Sequence, residues 1–162
     1  KMRFYYPNYQ NDMWRIFGLI FFHNKDYFLD LANKNFQEML IREFLLEKGI
    51  AIFDTAYQIR RLKGNASDKF LEIVTPTDLN KLLVQMPLCH SIMTTGDKAT
   101  ETLMLSMPEG TEKPPIGQPS KAHFAGRELK LYRMPSSSRA YPLALEKKAE
   151  AYRELFRDAG LI

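Results

Sequence analysis

The chain reads as a three-layer α/β/α domain with a short, mainly parallel sheet, and three stretches predict it. Ile50-Ala51-Ile52-Phe53 is a continuous apolar run closed by Asp54, the pattern of a strand buried on both faces of a parallel sheet. A second strand, 88–94, passes through Thr95-Gly96-Asp97-Lys98-Ala99 into a helix running toward Met107. A third, 128–134, alternates, with Leu129 and Leu131 on one face and Lys130 and Tyr132 on the other, as a half-buried strand does.

The helices follow from apolar residues at 3.6-residue spacing. Met13, Trp14, Ile16, Phe17, Leu19 and Ile20 form the first stripe, and Asn11 or Asp12 ahead of it is a natural N-cap. Residues 26–31 make a short amphipathic piece. Asn33 or Asn35 then caps a second helix through Phe36, Met39, Leu40 and Phe44, which ends at Lys48-Gly49. Pro76-Thr77-Asp78 opens a third, with Leu79, Leu82, Leu83 and Met86 on one face and Pro87 as its stop. The last, 143–158, carries Leu145, Ala149, Tyr152 and Phe156 on its packing stripe and Lys147, Lys148, Glu150, Glu154 and Arg157 around it. Between strands, residues 58–67 are basic and irregular, a solvated loop or a tracker of phosphates, and 108–125 form a long Pro/Gly-rich loop or irregular hairpin.

A chain of 162 residues with 45% hydrophobic and 26% charged residues is long enough for one domain with its own core. The formal charge of +4 and isoelectric point near 9.1 permit a polyanionic partner without requiring one. Cys89 is the single cysteine, which excludes an intramolecular disulfide, a Cys-rich zinc site and a Cys-ligated iron–sulfur cluster. The three histidines, His23, His90 and His123, have no metal-ligand spacing, and His90 reads as a packing residue within its strand. Neither a G-x-G-x-x-G nor a Walker pattern is present, so no nucleotide cofactor is expected. No metal is expected either, and the chain reads as cytoplasmic and monomeric, with no membrane span.

Tyr5-Tyr6-Pro7-Asn8-Tyr9-Gln10-Asn11-Asp12-Met13-Trp14 crowds aromatic faces and amides around one helix start, a place to stack a flat ring beside a polar group. Continued through Arg15-Ile16-Phe17-Gly18, it resembles the segment of the uracil-DNA glycosylase superfamily, above all its hypoxanthine-DNA glycosylase and mismatch-specific branches, in which aromatic residues precede an Asn and a Phe/Trp-rich helix. Met134-Pro135-Ser136-Ser137-Ser138-Arg139-Ala140 is similar to the Pro-Ser loop with which that superfamily grips DNA near a flipped nucleotide. The resemblance covers most of the chain and implies one glycosylase-like domain over 1–162. The superfamily places a strand and a Gly/Pro-containing loop just ahead of the aromatic block, so residues upstream of Lys1 are expected to supply them.

What the resemblance implies is hydrolysis of the N-glycosidic bond of a flipped deaminated base, uracil or hypoxanthine, in DNA, without cofactor and without strand cleavage. Tyr6 matches the stacking aromatic, and Phe53 and Thr95 are further base contacts; Thr95 lies where an Asn would be favoured, which leaves the preferred base open. Asn11 matches the catalytic Asn of the hypoxanthine branch, where an amide holds the attacking water, although an N-cap role fits it equally. Asp54, at the carboxyl end of its strand, is the second catalytic candidate or a residue that closes the next turn. Arg133, Ser136, Ser137, Ser138 and Arg139 are the expected DNA contacts, with Arg133 calling for an anionic partner in protein or DNA. A catalytically silent DNA-binding protein and a small-molecule nucleoside hydrolase are the alternatives.

Overall fold

The computed structural model describes residues 1–61 and 71–162, by backbone alone at 57–61 and 71–74. The protein is mixed α/β, and the chain sorts into two compact units, Lys1–Phe53 with Pro135–Ile162, and Asp54–Met134. Most of the basic stretch expected at 58–67, and all of its side chains, lies outside the described residues.

The first unit is built on helix α1 (Met13–Phe22), which buries Met13, Trp14, Ile16, Phe17 and Ile20. Its core is largely aromatic. Phe17 stands edge-on to Trp14 and to Phe156 of the last helix, with ring centroids 5.4 Å apart in both pairs, the geometry that ring quadrupoles favour. His23 turns the chain out of α1 with φ of 53°, and the Asn24 amide then donates back to the Gly18 carbonyl. A Cβ at Gly18 would overlap the Asn24 carbonyl oxygen, so this close return requires glycine.

A two-residue hairpin follows, β1 (Leu29–Asp30) paired antiparallel with β2 (Asn35–Phe36), and then α2 (Glu38–Lys48). Asn33 and Asn35 do not cap α2. Asn33 bonds Asp30 across the hairpin turn and Asn35 accepts from the Met2 amide, while Gln37 precedes the helix and ties back to the Tyr27 and Leu29 carbonyls. α2 ends as its Lys48-Gly49 signal predicts. Gly49 has φ of 70° and the Ile50 amide reaches back to the Leu45 carbonyl, a helix-closing turn that satisfies late carbonyls.

That closure overturns the strand expected at 50–54. The Ile50 amide is committed to the helix end, residues 50–54 form no strand, and Phe53 is 48% exposed. The apolar run is a connection. The unit is completed by α5 (Leu145–Asp158), which packs on α1 and buries Ala149, Tyr152, Leu155 and Phe156.

The second unit opens with an unforeseen hairpin, β3 (Ala56–Arg61) antiparallel to β4 (Leu71–Pro76). Asp78 caps α3 (Leu79–Val84) by accepting from the Lys81 amide, as the Pro-Thr-Asp start predicts. Its three-stranded sheet runs β5 (Ser91–Thr95), β7 (Arg127–Met134), β6 (Ser120–Phe124), with α4 (Asp97–Met104) after β5.

β5 and β7 are parallel and β6 and β7 antiparallel, so the sheet is mixed where a mainly parallel one was expected. The Pro/Gly-rich segment supplies the difference. Its end alternates, with Ser120 and Ala122 buried against exposed Lys121 and His123, and Ala125-Gly126, both at positive φ, make the two-residue turn into β7. Leu129 and Leu131 join Ala122, Leu83, Leu103 and Met107 in the core, and Tyr132, expected on the wet face, is buried too. β5 begins at Ser91, later than expected, which leaves Leu88 and His90 exposed; His90 is not a packing residue.

No helix among the described residues is long and apolar enough to cross a membrane.

Candidate functional site

The two sequence blocks meet in the first unit. The chain turns at Asn8, whose carbonyl accepts from the Asn11 amide at 2.8 Å. Asn11 then forms an isolated antiparallel β-bridge with Ser138, and the Asp12 amide donates to the Ser137 carbonyl at 2.9 Å. Residues 127 apart in sequence are thereby held backbone to backbone. The Ser loop is braced from within, Ser136 Oγ accepting from the Ser138 amide and Ser138 Oγ from the Ala140 amide, each at 3.2 Å. It is also fastened to α5, where the buried Tyr152 hydroxyl donates to the Pro135 carbonyl at 2.8 Å. Burial pushes the Tyr152 phenol well above its ordinary 10.0, and the neighbouring Tyr6 phenol acts in the same direction.

Asp12 is the electrostatic centre of this cluster. Its carboxylate accepts from Arg139 Nε at 3.2 Å and Lys148 Nζ at 3.3 Å, and Arg15 Nη1 stands 3.9 Å away. Lys148, only 1% exposed, also donates to the Ser138 carbonyl at 2.8 Å, and Arg139 Nη1 donates to Gln10 Oε1 at 3.1 Å. Arg15, 5% exposed, donates to the Tyr9 and Asn11 carbonyls and lies over the Tyr9 ring. One carboxylate thus serves three cations, two of them buried.

Asn11 takes the capping duty: its Oδ1 accepts from the Met13 amide at 2.9 Å, while Asp12, at the N-cap position, makes no side-chain cap. Among the described residues the Asn11 Nδ2 donates no hydrogen bond, and one lone pair of Oδ1 is left over. Tyr6 has φ of 52° directly before Pro7, a conformation that ordinary side chains avoid and that proline disfavours in its predecessor. Its ring is edge-on to Trp14, whose indole N–H donates to the Tyr5 carbonyl. Strain of this kind persists only where its surroundings enforce it, and it concentrates at functional positions.

Tyr6, Asn11, Ser136, Ser137, Ser138 and Arg139 are therefore gathered in one unit, with Phe53 at the end of that unit's first segment. Asp54, Thr95 and Arg133 belong to the other. Thr95 ends β5 in register with Met134, and Arg133 pairs with Asp97 at the start of α4, so its anionic partner is a protein carboxylate. Asp54 is exposed; its backbone carbonyl accepts from Thr77 Oγ1 at 2.6 Å, and partial desolvation raises its carboxyl above the ordinary 3.8. Among the described residues no three His, Cys, Asp or Glu side chains converge to hold a metal ion.

Sequence reasoning missed Asp12, Arg15 and Lys148. Lys148, expected beside the packing stripe of α5, lies four residues before Tyr152 in line with the core positions. Arg15, inside an otherwise apolar helix start, carried the same signal.

No protein-family model, no curated protein and no solved structure matches the chain.

Proposed function

We propose that the protein is a monofunctional DNA glycosylase of the uracil-DNA glycosylase type, with the three-layer α/β/α core of that superfamily, and that it hydrolyses the N-glycosidic bond of a flipped uracil or hypoxanthine. The observation that carries this reading is the Asn11 to Ser138 bridge, which puts the aromatic block and the Pro-Ser loop side by side. In this scheme the Ser136, Ser137 and Ser138 amides and hydroxyls, with Arg139, hold backbone phosphates while the base leaves the stack. The extruded base stacks on Tyr6. The spare lone pair of Asn11 Oδ1 orients a water whose oxygen bonds to the sugar carbon as the base departs with the bonding pair, and the proton that the water gives up neutralises the departing base anion. The same proposal takes Phe53, in the same unit, as a base contact.

One observation favours a catalytically silent DNA-binding protein instead: Asn11 Oδ1 already serves as the cap of α1. Incubation of the protein with DNA carrying a single uracil, hypoxanthine or xanthine decides between them. Release of free base is expected. DNA binding without base release would leave the silent reading, and release from free deoxynucleosides alone would indicate a nucleoside hydrolase.

A further inference from the structure

The first unit contains a pocket of about 380 Å³ whose charged lining is Asp12, Arg15, Lys25, Arg139 and Lys148. Leu143 and Leu145, where α5 begins, form an apolar wall. Lys25 also pairs with Asp26 at 3.0 Å, so four cations face two carboxylates, an excess of two positive charges.

Two of these cations, Lys25 and Arg139, are about half exposed, and the other two are not. Arg15 and Lys148 are recessed and almost without water contact, and the carboxylate nearest them is divided among three cations. Buried charge without full compensation is costly, and an entering anion would relieve it. The donors to receive one are present. Lys148 Nζ uses two of its three N–H groups, and Arg139 has Nη2 free of hydrogen bonds among the described residues. Ala144 at the N-cap of α5 contributes no side-chain acceptor, so the positive end of a 14-residue helix adds to the same field.

We infer that this pocket binds a phosphate monoester. Two arguments select that chemistry. A monoester carries a charge of about −1.5 to −2 at neutral pH, which matches the excess, whereas a diester within a nucleic-acid strand carries one. The volume also admits more than a bare anion, leaving space for the sugar of a nucleotide against the leucine wall. The shared ligand chemistry is the terminal phosphate, free, on a mononucleotide or at the 5′ end of a strand. The inference does not depend on base release.

The test is titration of the full chain with sodium phosphate at constant ionic strength set by sodium chloride, read by the thermal transition of the buried Trp14 fluorescence. A saturable rise in Tm is expected from phosphate and from a 5′-deoxynucleotide. Lys25→Glu, on a half-exposed side chain that the fold does not need, is expected to weaken phosphate binding by about tenfold, the size of one charge-assisted contact. Lys148→Met, if it melts cooperatively, should abolish it. A phosphate effect no larger than that of chloride, or full binding by Lys25→Glu, overturns the inference. Oligonucleotides identical but for a 5′-phosphate separate the sources. Tighter binding of the phosphorylated one, competed by free phosphate, assigns the site to strand ends; equal binding of both assigns it to free phosphate or mononucleotides. Base release from uracil-containing DNA is measured separately, so loss of the phosphate site and loss of the proposed activity are told apart.

Discussion

Asp12→Asn removes one charge and almost no volume, and it tests whether a single carboxylate holds the two sequence blocks together. Its three ion pairs are unequal. Arg139 is about half exposed, so its pair is worth at most about 1 kcal/mol. Arg15, at 3.9 Å and bonded to two backbone carbonyls, keeps most of its polar contacts. Lys148 is decisive, because its side chain is 1% exposed and the variant leaves its ammonium only the Ser138 carbonyl. Stranding a buried charge costs about 3–5 kcal/mol, and the introduced amide would at best point its oxygen at one of the two cations that now donate hydrogen bonds to the carboxylate. That is a large part of the roughly 5–15 kcal/mol that holds a typical domain folded. The assay is urea unfolding in phosphate-free buffer followed by emission of the single tryptophan, Trp14, which is fully buried two residues away. The midpoint should fall sharply with little change in slope. Adding Lys148→Met to Asp12→Asn should recover much of the loss, since the stranded charge is then gone. A loss under about 1 kcal/mol for Asp12→Asn, or no recovery in the double variant, would refute the assignment of Asp12 as the centre of a buried ion cluster.

Three further outcomes are expected. Asn11→Asp should nearly keep thermal stability, because Asp caps as well as Asn, while single-turnover base release changes strongly; Asn11→Ala should lose about 1 kcal/mol and the activity together. Unchanged release by the folded Ala variant would remove Asn11 from the chemistry. Tyr6→Ala should lower excision by about 1–3 kcal/mol while binding to undamaged duplex is little affected, since stacking helps only once the base is out. Equal losses on damaged and undamaged DNA would mark Tyr6 as a folding residue. Tyr152→Phe orphans the buried Pro135 carbonyl at a cost of about 1–3 kcal/mol. It should also change the alkaline limb of stability. With the folded phenol raised well above 10.0, the unfolded chain loses its proton first, so the stability due to Tyr152 is complete below pH 10.0 and declines as pH rises beyond it. Melting curves from pH 9 upward should fall less steeply for the Phe variant, and identical slopes would contradict the raised value.

The helices were legible because their signals are local. The stripe of α1, the Gly49 end of α2, the Asp78 cap of α3 and the packing face of α5 each rest on residues within a few positions of one another. The strand at 127–134 was legible for the same reason. The run at 50–54 misled because apolar composition does not reveal whether a partner strand exists, and the Ile50 amide had a nearer acceptor in Leu45. β6 was hidden within a Pro/Gly-rich stretch, since only its pairing with β7 makes Ser120 and Ala122 an inner face.

By itself the sequence determined where the helices lie, though not that α2 starts only at Glu38, and it determined that the aromatic block precedes the first helix and that a Pro-Ser loop follows the last strand. Only the tertiary structure decided that these two blocks touch, and that Asp12, Arg15, Arg139 and Lys148 share one charged pocket. The physical reason is distance along the chain. Helix stripes and caps arise from contacts between near neighbours, whereas the bond from Lys148 to Asp12 spans 136 positions and forms only once α5 has packed on α1 and carried a lysine out of water to the Asp12 carboxylate.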